Sequence, residues 1–266
     1  MIAFGPVPSR RLGYSLGINH IPPKHCTYSC VYCQVGRTTS LEITRREFFP
    51  PHQVIAEVGE ALDNASRHEK QVDFLTLVPD GEPTLDIHLV ELVQGLKKFG
   101  LPVAVITNSS LIDQQEVQQA LLAVDWVSFK VDAVDEESWR KIDRPHGKLS
   151  LNAILNGMLE FRGMFQGELV TETMLISGIN DTDSSLASLS SFLLALQPFK
   201  SYLAIPIRPP AEAWVKPPEP DVLLRYMEEI SKRCPFIDLL FDLEEGDFSS
   251  TGDLIQDILG MTAVHP

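Results

Sequence analysis

The sequence predicts an α/β fold built on parallel strands. Short β-rich runs alternate with segments of helical periodicity, and that rhythm calls for parallel strands joined by right-handed crossovers. The 266 residues are 44% hydrophobic, enough to bury one large core. No shift of composition and no repeat divides the chain, so a single domain is the default.

The β-rich runs fall at residues 14–20, 73–78, 102–107, 126–131, 168–176, 201–207 and 237–242. Between them, residues 85–99 place Ile87, Val90, Leu92, Val93 and Leu96 on one helical face, and Gly100 supplies the stop. Residues 113–123 repeat the pattern with Val117, Leu121 and Leu122. Asp181, Thr182 and Asp183 offer caps for a helix that runs to about Leu196 and is closed by Pro198. Residues 220–232 open with proline and keep Val222, Leu223, Tyr226, Met227 and Ile230 inward. Six prolines stiffen the loop 206–220, which reads either as a lid carrying Arg208 and Trp214 or as a rigid surface connector. A short helical pattern at 253–259 reads either as a cap on the core or as the start of an appended module.

Composition narrows the class. No apolar run of about 18 residues occurs, so no membrane span is expected, and the first residues lack the pattern of a signal peptide. Four cysteines, three of them clustered, argue for a reducing cytoplasmic setting and metal ligation rather than disulfides. The formal net charge of −14 makes a poor general nucleic-acid binder. The charge is uneven: six basic residues (Arg10, Arg11, Lys24, Arg37, Arg45, Arg46) face one acid, Glu42, before residue 47. That excess reads either as an anion-attracting surface or as an ordinary solvated one.

The chemistry centres on Cys26, Cys30 and Cys33, spaced C-x3-C-x2-C directly after the first strand. Three thiolates leave a four-coordinate metal one ligand short, and an open position is where substrate or cofactor binds. Two readings compete. One is a [4Fe-4S] cluster with one iron open; the other is structural zinc with His20 or His25 as fourth ligand. Zinc sites usually come as two close pairs, whereas Cys234 stands alone and His25 adjoins Cys26, so spacing favours iron–sulfur.

This segment, with aromatic Tyr32 just before the last cysteine, resembles the signature of the radical S-adenosylmethionine (SAM) superfamily. The resemblance implies that the three cysteines hold a [4Fe-4S] cluster, that SAM chelates the fourth iron, and that reductive cleavage gives a 5′-deoxyadenosyl radical. It places Tyr32 beside the adenine. The run Pro79-Asp80-Gly81-Glu82-Pro83-Thr84-Leu85 is similar to the family's Gly-Gly-Glu-Pro motif, with Asp80 for the first glycine. It implies that Glu82 and the backbone around Gly81 accept hydrogen bonds from the SAM ammonium, with Pro83 completing the motif; taken alone, the run is a turn and a helix start. By the same plan Thr107, Asn108, Lys130 and Asp132 contact the ribose and carboxylate of SAM. Lys130 and Asp132, two apart on a strand, share a face and read alternatively as an internal salt bridge. Glu172 and Thr173 are weaker candidates.

The opening Phe4-Gly5-Pro6-Val7-Pro8-Ser9-Arg10-Arg11-Leu12-Gly13 looks like a little-characterised subgroup nearest to the wyosine-forming tRNA enzymes. The resemblance implies a partial (β/α)6 TIM-like barrel over residues 1–242, an N-terminal arm, and a C-terminal extension over 243–266. Ser9, Arg10 and Arg11 belong either to the substrate site or to an arm sealing the barrel. One cluster is expected, because Cys234 alone cannot hold a second. No dinucleotide or Walker fingerprint supports nicotinamide or ATP. The expected activity is radical initiation on a small molecule, peptide or RNA, with an external one-electron donor such as flavodoxin or ferredoxin. The alternatives are a tRNA-modifying variant and a zinc-stabilised, non-catalytic binding module.

Overall fold

The computed structural model describes residues 2–240, so the extension at 243–266 lies outside the described residues. The chain enters through strands β1 (Ala3–Ser9) and β2 (Gly13–Ile18), then the short paired segments β3 (His25–Cys26) and β4 (Ser40–Leu41). Helix α1 (Pro51–Arg67) leads to β5 (Phe74–Leu77), a 3-10 turn (Pro83–Leu85) and α2 (Leu89–Lys97). There follow β6 (Val103–Thr107), α3 (Gln115–Leu122), β7 (Trp126–Lys130), α4 (Glu136–Ile142) and α5 (Leu151–Met164). Strand β8 (Glu168–Met174), α6 (Asp183–Leu196), β9 (Lys200–Ala204), α7 (Pro220–Arg233) and β10 (Ile237–Leu240) complete it.

One eight-stranded sheet runs β1-β2-β5-β6-β7-β8-β9-β10. From β2 onward every neighbour is parallel, which gives seven parallel strands among the described residues. Each of the seven β-rich runs has its strand. The expected N-terminal arm is itself a strand, β1, antiparallel to β2. It carries Pro6 and Pro8, which an edge strand tolerates because its outer side makes no ladder.

Alternation along the strands separates two faces. Leu16, Leu75, Leu77, Val103, Val105, Val127, Phe129, Leu169 and Leu203 are buried in the large core under the helices. Each such side chain contributes about 1.5–3 kcal/mol on burial. The opposite face gathers Ala104, Trp126 and Val170 around Leu12, which arrives from the β1–β2 turn. That turn plugs the N-terminal end of the sheet, and the C-terminal strand ends are left for chemistry.

The helices hold with two corrections. Helix α2 begins only at Leu89, after the 3-10 turn, so Ile87 is 47% exposed while Leu89, Leu92, Val93 and Leu96 are buried. Leu122 ends α3 and is exposed, leaving Val117, Ala120 and Leu121 inward. The Thr182 side chain caps α6 by accepting the N–H of Ser185.

Candidate active site

The cysteine loop lies at the C-terminal end of the sheet and is stitched from all sides by its backbone. Its two stems pair as parallel strands, His25 with Ser40 and Cys26 with Leu41. The N–H of Lys24 donates to the carbonyl of Asp80 at 2.7 Å, and that of Glu82 to the carbonyl of His25 at 3.0 Å. The N–H groups of Ser29 and Val31 donate to the carbonyls of Asp143 and Ile142, both at 2.9 Å. Those carbonyls end α4 and have no partner within the helix, so the loop satisfies groups that would otherwise be orphaned. Val31 packs with Met174, Ile176, Ala204 and Val215 at the strand ends.

The run after β5 meets that loop at van der Waals limits. A Cβ on Gly81 would stand 2.2 Å from the His25 carbonyl oxygen, so only glycine fits. Asp80, which replaces the first glycine of the motif, points outward and bonds Asn19 at 2.9 Å. Glu82 is 1% exposed and its carboxylate accepts four donors. They are the N–H of Thr84 (3.0 Å), the hydroxyls of Thr84 (2.6 Å) and Thr107 (2.5 Å), and the N–H of Asn108 (2.8 Å). Three reach Oε1 and one reaches Oε2, so Oε2 keeps the acceptor capacity that is left. Burial raises the Glu82 pKa, and the four hydrogen bonds work against it.

From β6, Asn108 closes the ring. Its side-chain amide donates to Thr27 Oγ1 at 2.7 Å and lies 3.5 Å from Cys26 Sγ. Its Oδ1 accepts the N–H of Ser110 at 3.0 Å, which fixes the amide's orientation.

On the inner face a row of charges joins floor to mouth. Arg11, from the β1–β2 turn, pairs with Glu172; Glu172 pairs with Lys130 at 2.7 Å; and Lys130 lies 4.0 Å from Asp132. The Tyr32 hydroxyl donates to Asp132, and the Lys130 ammonium sits 4.9 Å from the Tyr32 ring centroid. Burial works against the Lys130 ammonium, but Glu172 and Asp132 more than offset it and raise its pKa. Burial likewise opposes the Glu172 carboxylate, yet Lys130 and Arg11 bring it down to about 2. The row includes the salt bridge that the spacing of Lys130 and Asp132 allowed. It also ties Arg11, from the β1–β2 turn, through Glu172 to Lys130 at the strand end.

All three clustered cysteines are free thiols; Cys33 lies near enough to raise the Cys26 thiol, and Cys26 and Cys33 near enough to raise that of Cys30. Burial pushes the Cys26 thiol up to about 12, with Glu82 adding to it. Burial, then Asp143, raises Cys30, whose thiol donates to Asp143 at 3.3 Å. A cationic iron centre reverses that local logic and stabilises the thiolates. Among the described residues no three His, Cys, Asp or Glu side chains converge on one metal ion. A lone zinc needs four ligands within about 2.3 Å of one point; a cluster, with a separate iron for each thiolate, does not. Neither histidine offered as zinc ligand joins the cysteines: His25 binds Glu42 at 2.7 Å, and His20 is buried against the Pro83 carbonyl at 3.4 Å. The three thiols are the donors that a cluster would take, and neither histidine stands with them as a fourth ligand.

The expected residues Tyr32, Gly81, Glu82, Pro83, Thr107, Asn108, Lys130 and Asp132 thus share one neighbourhood with the cysteines. Sequence reasoning missed Asp143 and Asn180. The Asn180 amide donates to the carbonyls of Asp132 (2.8 Å) and Met174 (2.9 Å), locking two strand ends together. An asparagine or aspartate beyond a helix or strand carries no signal of such a role. The basic N-terminal segment is largely committed within the fold. Arg11 and Arg37 pair with Glu172 and Glu212, Arg46 pairs with Glu42, and Arg45 donates to the carbonyls of Thr84 and Asp86.

Comparison with known proteins agrees with this geometry. The family model described as the Radical SAM superfamily matches residues 21–189. The chain is 49% identical over 269 residues to the UPF0026 protein of Methanocaldococcus jannaschii, covering 100% of this chain and 83% of that one. To the UPF0026 protein of Helicobacter pylori J99 it is 40% identical over 195 residues, covering 72% of this chain and 62% of that protein. Among solved structures, a radical SAM methyltransferase from Sphaerobacter thermophilus superposes with a TM-score of 0.65 at 16% identity, over 85% of this chain and 66% of that one. TYW1 with a lysine-pyruvate adduct superposes with a TM-score of 0.58 at 17% identity, over 84% and 75%. These two show the shared fold, a partial TIM-like barrel. No helix among the described residues is long and apolar enough to cross a membrane. Members of the matched superfamily are enzymes that use a [4Fe-4S] cluster and S-adenosylmethionine. Through the matched signature and the 49% identity, the chain belongs to the radical SAM superfamily and, within it, to the UPF0026 family.

Proposed function

We propose that Cys26, Cys30 and Cys33 hold one [4Fe-4S] cluster, and that the chain is a cytoplasmic enzyme that starts radical chemistry on its substrate. The observation that carries this is the placement of three free thiols on a loop stitched to Gly81, Glu82 and Asn108 at the C-terminal strand ends. The bound pair supplies a 5′-deoxyadenosyl radical when SAM is reductively cleaved. This chain's residues bind and orient. The backbone around Gly81 and the spare capacity of Glu82 Oε2 would accept from the SAM ammonium. Lys130 would answer its carboxylate, Asp132 would accept from its ribose hydroxyls, and Tyr32 would pack beside the adenine. Thr107 and Asn108 keep Glu82 and the cysteine loop in register. Residues 1–242 form the core that does this, with 243–266 as an extension to it. Action on tRNA is the alternative reading; four of the six early basic residues are paired within the chain, two of them, Arg37 and Arg46, at its surface.

Anaerobic reconstitution tests the reading. The expected product is a brown protein with about four irons and four sulfides per chain. With dithionite and SAM it should release 5′-deoxyadenosine, and Cys→Ala at any of the three positions should abolish both. A colourless protein that takes up zinc instead would overturn it.

A further inference from the structure

The clustered sulfurs do not share one environment. The Cys30 thiol meets an acid, donating at 3.3 Å to the buried carboxylate of Asp143. Cys26 meets donors instead. The Asn108 side-chain amide donates to its Sγ at 3.5 Å, and the backbone N–H groups of Thr27 and Tyr28 also hydrogen-bond that sulfur. Glu82 stands near Cys26 as an acid and pulls the other way.

The Asn108 amide is held in one orientation. Its Oδ1 accepts the backbone N–H of Ser110 at 3.0 Å, and its NH2 group also donates to Thr27 Oγ1 at 2.7 Å. A flipped amide would set its NH2 against the Ser110 N–H, two donors face to face. Thr27 Oγ1 is fixed in turn by the Ser110 hydroxyl at 2.6 Å, and both Thr27 and Ser110 are buried. Asn108 carries no titratable group, so its N–H stays aimed at the sulfur at any working pH.

An iron–sulfur group gains one negative charge on reduction, and part of that charge falls on its sulfurs. Hydrogen bonds to those sulfurs favour the reduced form and set the reduction potential. A donor inside a buried network acts more strongly than one in water.

We propose that Asn108 raises the reduction potential of the iron–sulfur group by donating its side-chain N–H to the Cys26 sulfur. It acts through Cys26 and is a positioning residue. This rests on the iron–sulfur reading above. In the step concerned, an external one-electron reductant loses one electron and the iron–sulfur group gains it; no bond forms or breaks.

The test is a redox titration of the reconstituted full chain without SAM, with dithionite as reductant and the reduced form followed by electron paramagnetic resonance. Asn108→Leu fills a similar space with no donor, and Asn108→Asp keeps the shape without the NH2 group. Ser110→Ala is the control: it takes one hydroxyl from Thr27 and keeps the backbone N–H that orients the amide. Both Asn108 variants should shift the equilibrium about tenfold against the reduced form, a potential lower by about 59 mV for one electron. Ser110→Ala should match wild type. An unchanged potential in an Asn108 variant that carries the chromophore would overturn the proposal. So would an equal fall in Ser110→Ala, which would assign the shift to loosened packing.

Wild type decides even where neither Asn108 variant takes up iron. With asparagine isotopically labelled at its side-chain nitrogen, pulsed resonance of the reduced protein should show a coupling to that nitrogen. A loaded wild type without the coupling overturns this inference alone. A wild type that never acquires the chromophore overturns the iron–sulfur reading, and this inference with it.

Discussion

Asn108 touches both halves of the site: its backbone N–H donates to Glu82 at 2.8 Å while its side-chain amide lies 3.5 Å from the sulfur of Cys26. One residue at the end of β6 thereby sets the distance between the cysteine loop and the run after β5.

Asn108→Ala keeps the backbone bond and removes the amide. The bonds to Thr27 and Ser110 go with it, a loss of about 1–2 kcal/mol in denaturant unfolding. The reconstituted iron–sulfur group should be released to a chelator several times faster than in wild type. Equal release rates would show that the amide does not steady the loop.

Gly81→Ala places a methyl group 2.2 Å from the His25 carbonyl oxygen. Backbone cannot yield as a side-chain tip can, so the cost should reach about 3 kcal/mol. The loop should shift, and iron incorporation should fall even where circular dichroism shows a folded chain.

Glu172 gives a pH signature. Its pKa falls from an ordinary 4.5 to about 2 on folding, so its contribution is complete above pH 4.5 and is lost as pH drops towards 2. That shift corresponds to about 3 kcal/mol. Urea unfolding of wild type should therefore weaken across this window, and Glu172→Gln should flatten that part of the profile while lowering stability at pH 7.

His20 acts over a different window. Burial lowers its pKa from 6.5 to about 4, so the unfolded chain takes up a proton that the folded chain refuses. Stability is full above pH 6.5 and falls by about 3 kcal/mol as pH drops to 4, with no further loss below that from this group. His20→Phe should remove this slope; an unaltered slope between pH 6.5 and 4 would assign it to other groups.

Much of this was legible because it is local. Seven strands announce themselves as β-rich runs, and Cys26, Cys30 and Cys33 by spacing alone. The motif at 79–85 could be placed at a strand end without coordinates. What escaped depends on distant partners. Ile87 and Leu122 fit a helical face but fall just outside the turn that would have buried them. Glu82 reads from its motif as a ligand, yet most of its acceptor capacity goes to Thr84, Thr107 and Asn108. The partnership of Arg11 with Glu172 spans 161 positions, which no periodicity can reveal. Asp143 meets Cys30 only because α4 ends where the loop needs acceptors.

The Arg11–Glu172–Lys130–Asp132 row has a practical meaning for reading relatives and libraries. A substitution at Arg11 leaves Glu172 with one cation fewer and so changes the charge balance around Lys130 and Asp132 at the strand ends. Hits at Arg11 in a selection for altered activity belong with pocket variants, not with scaffold noise.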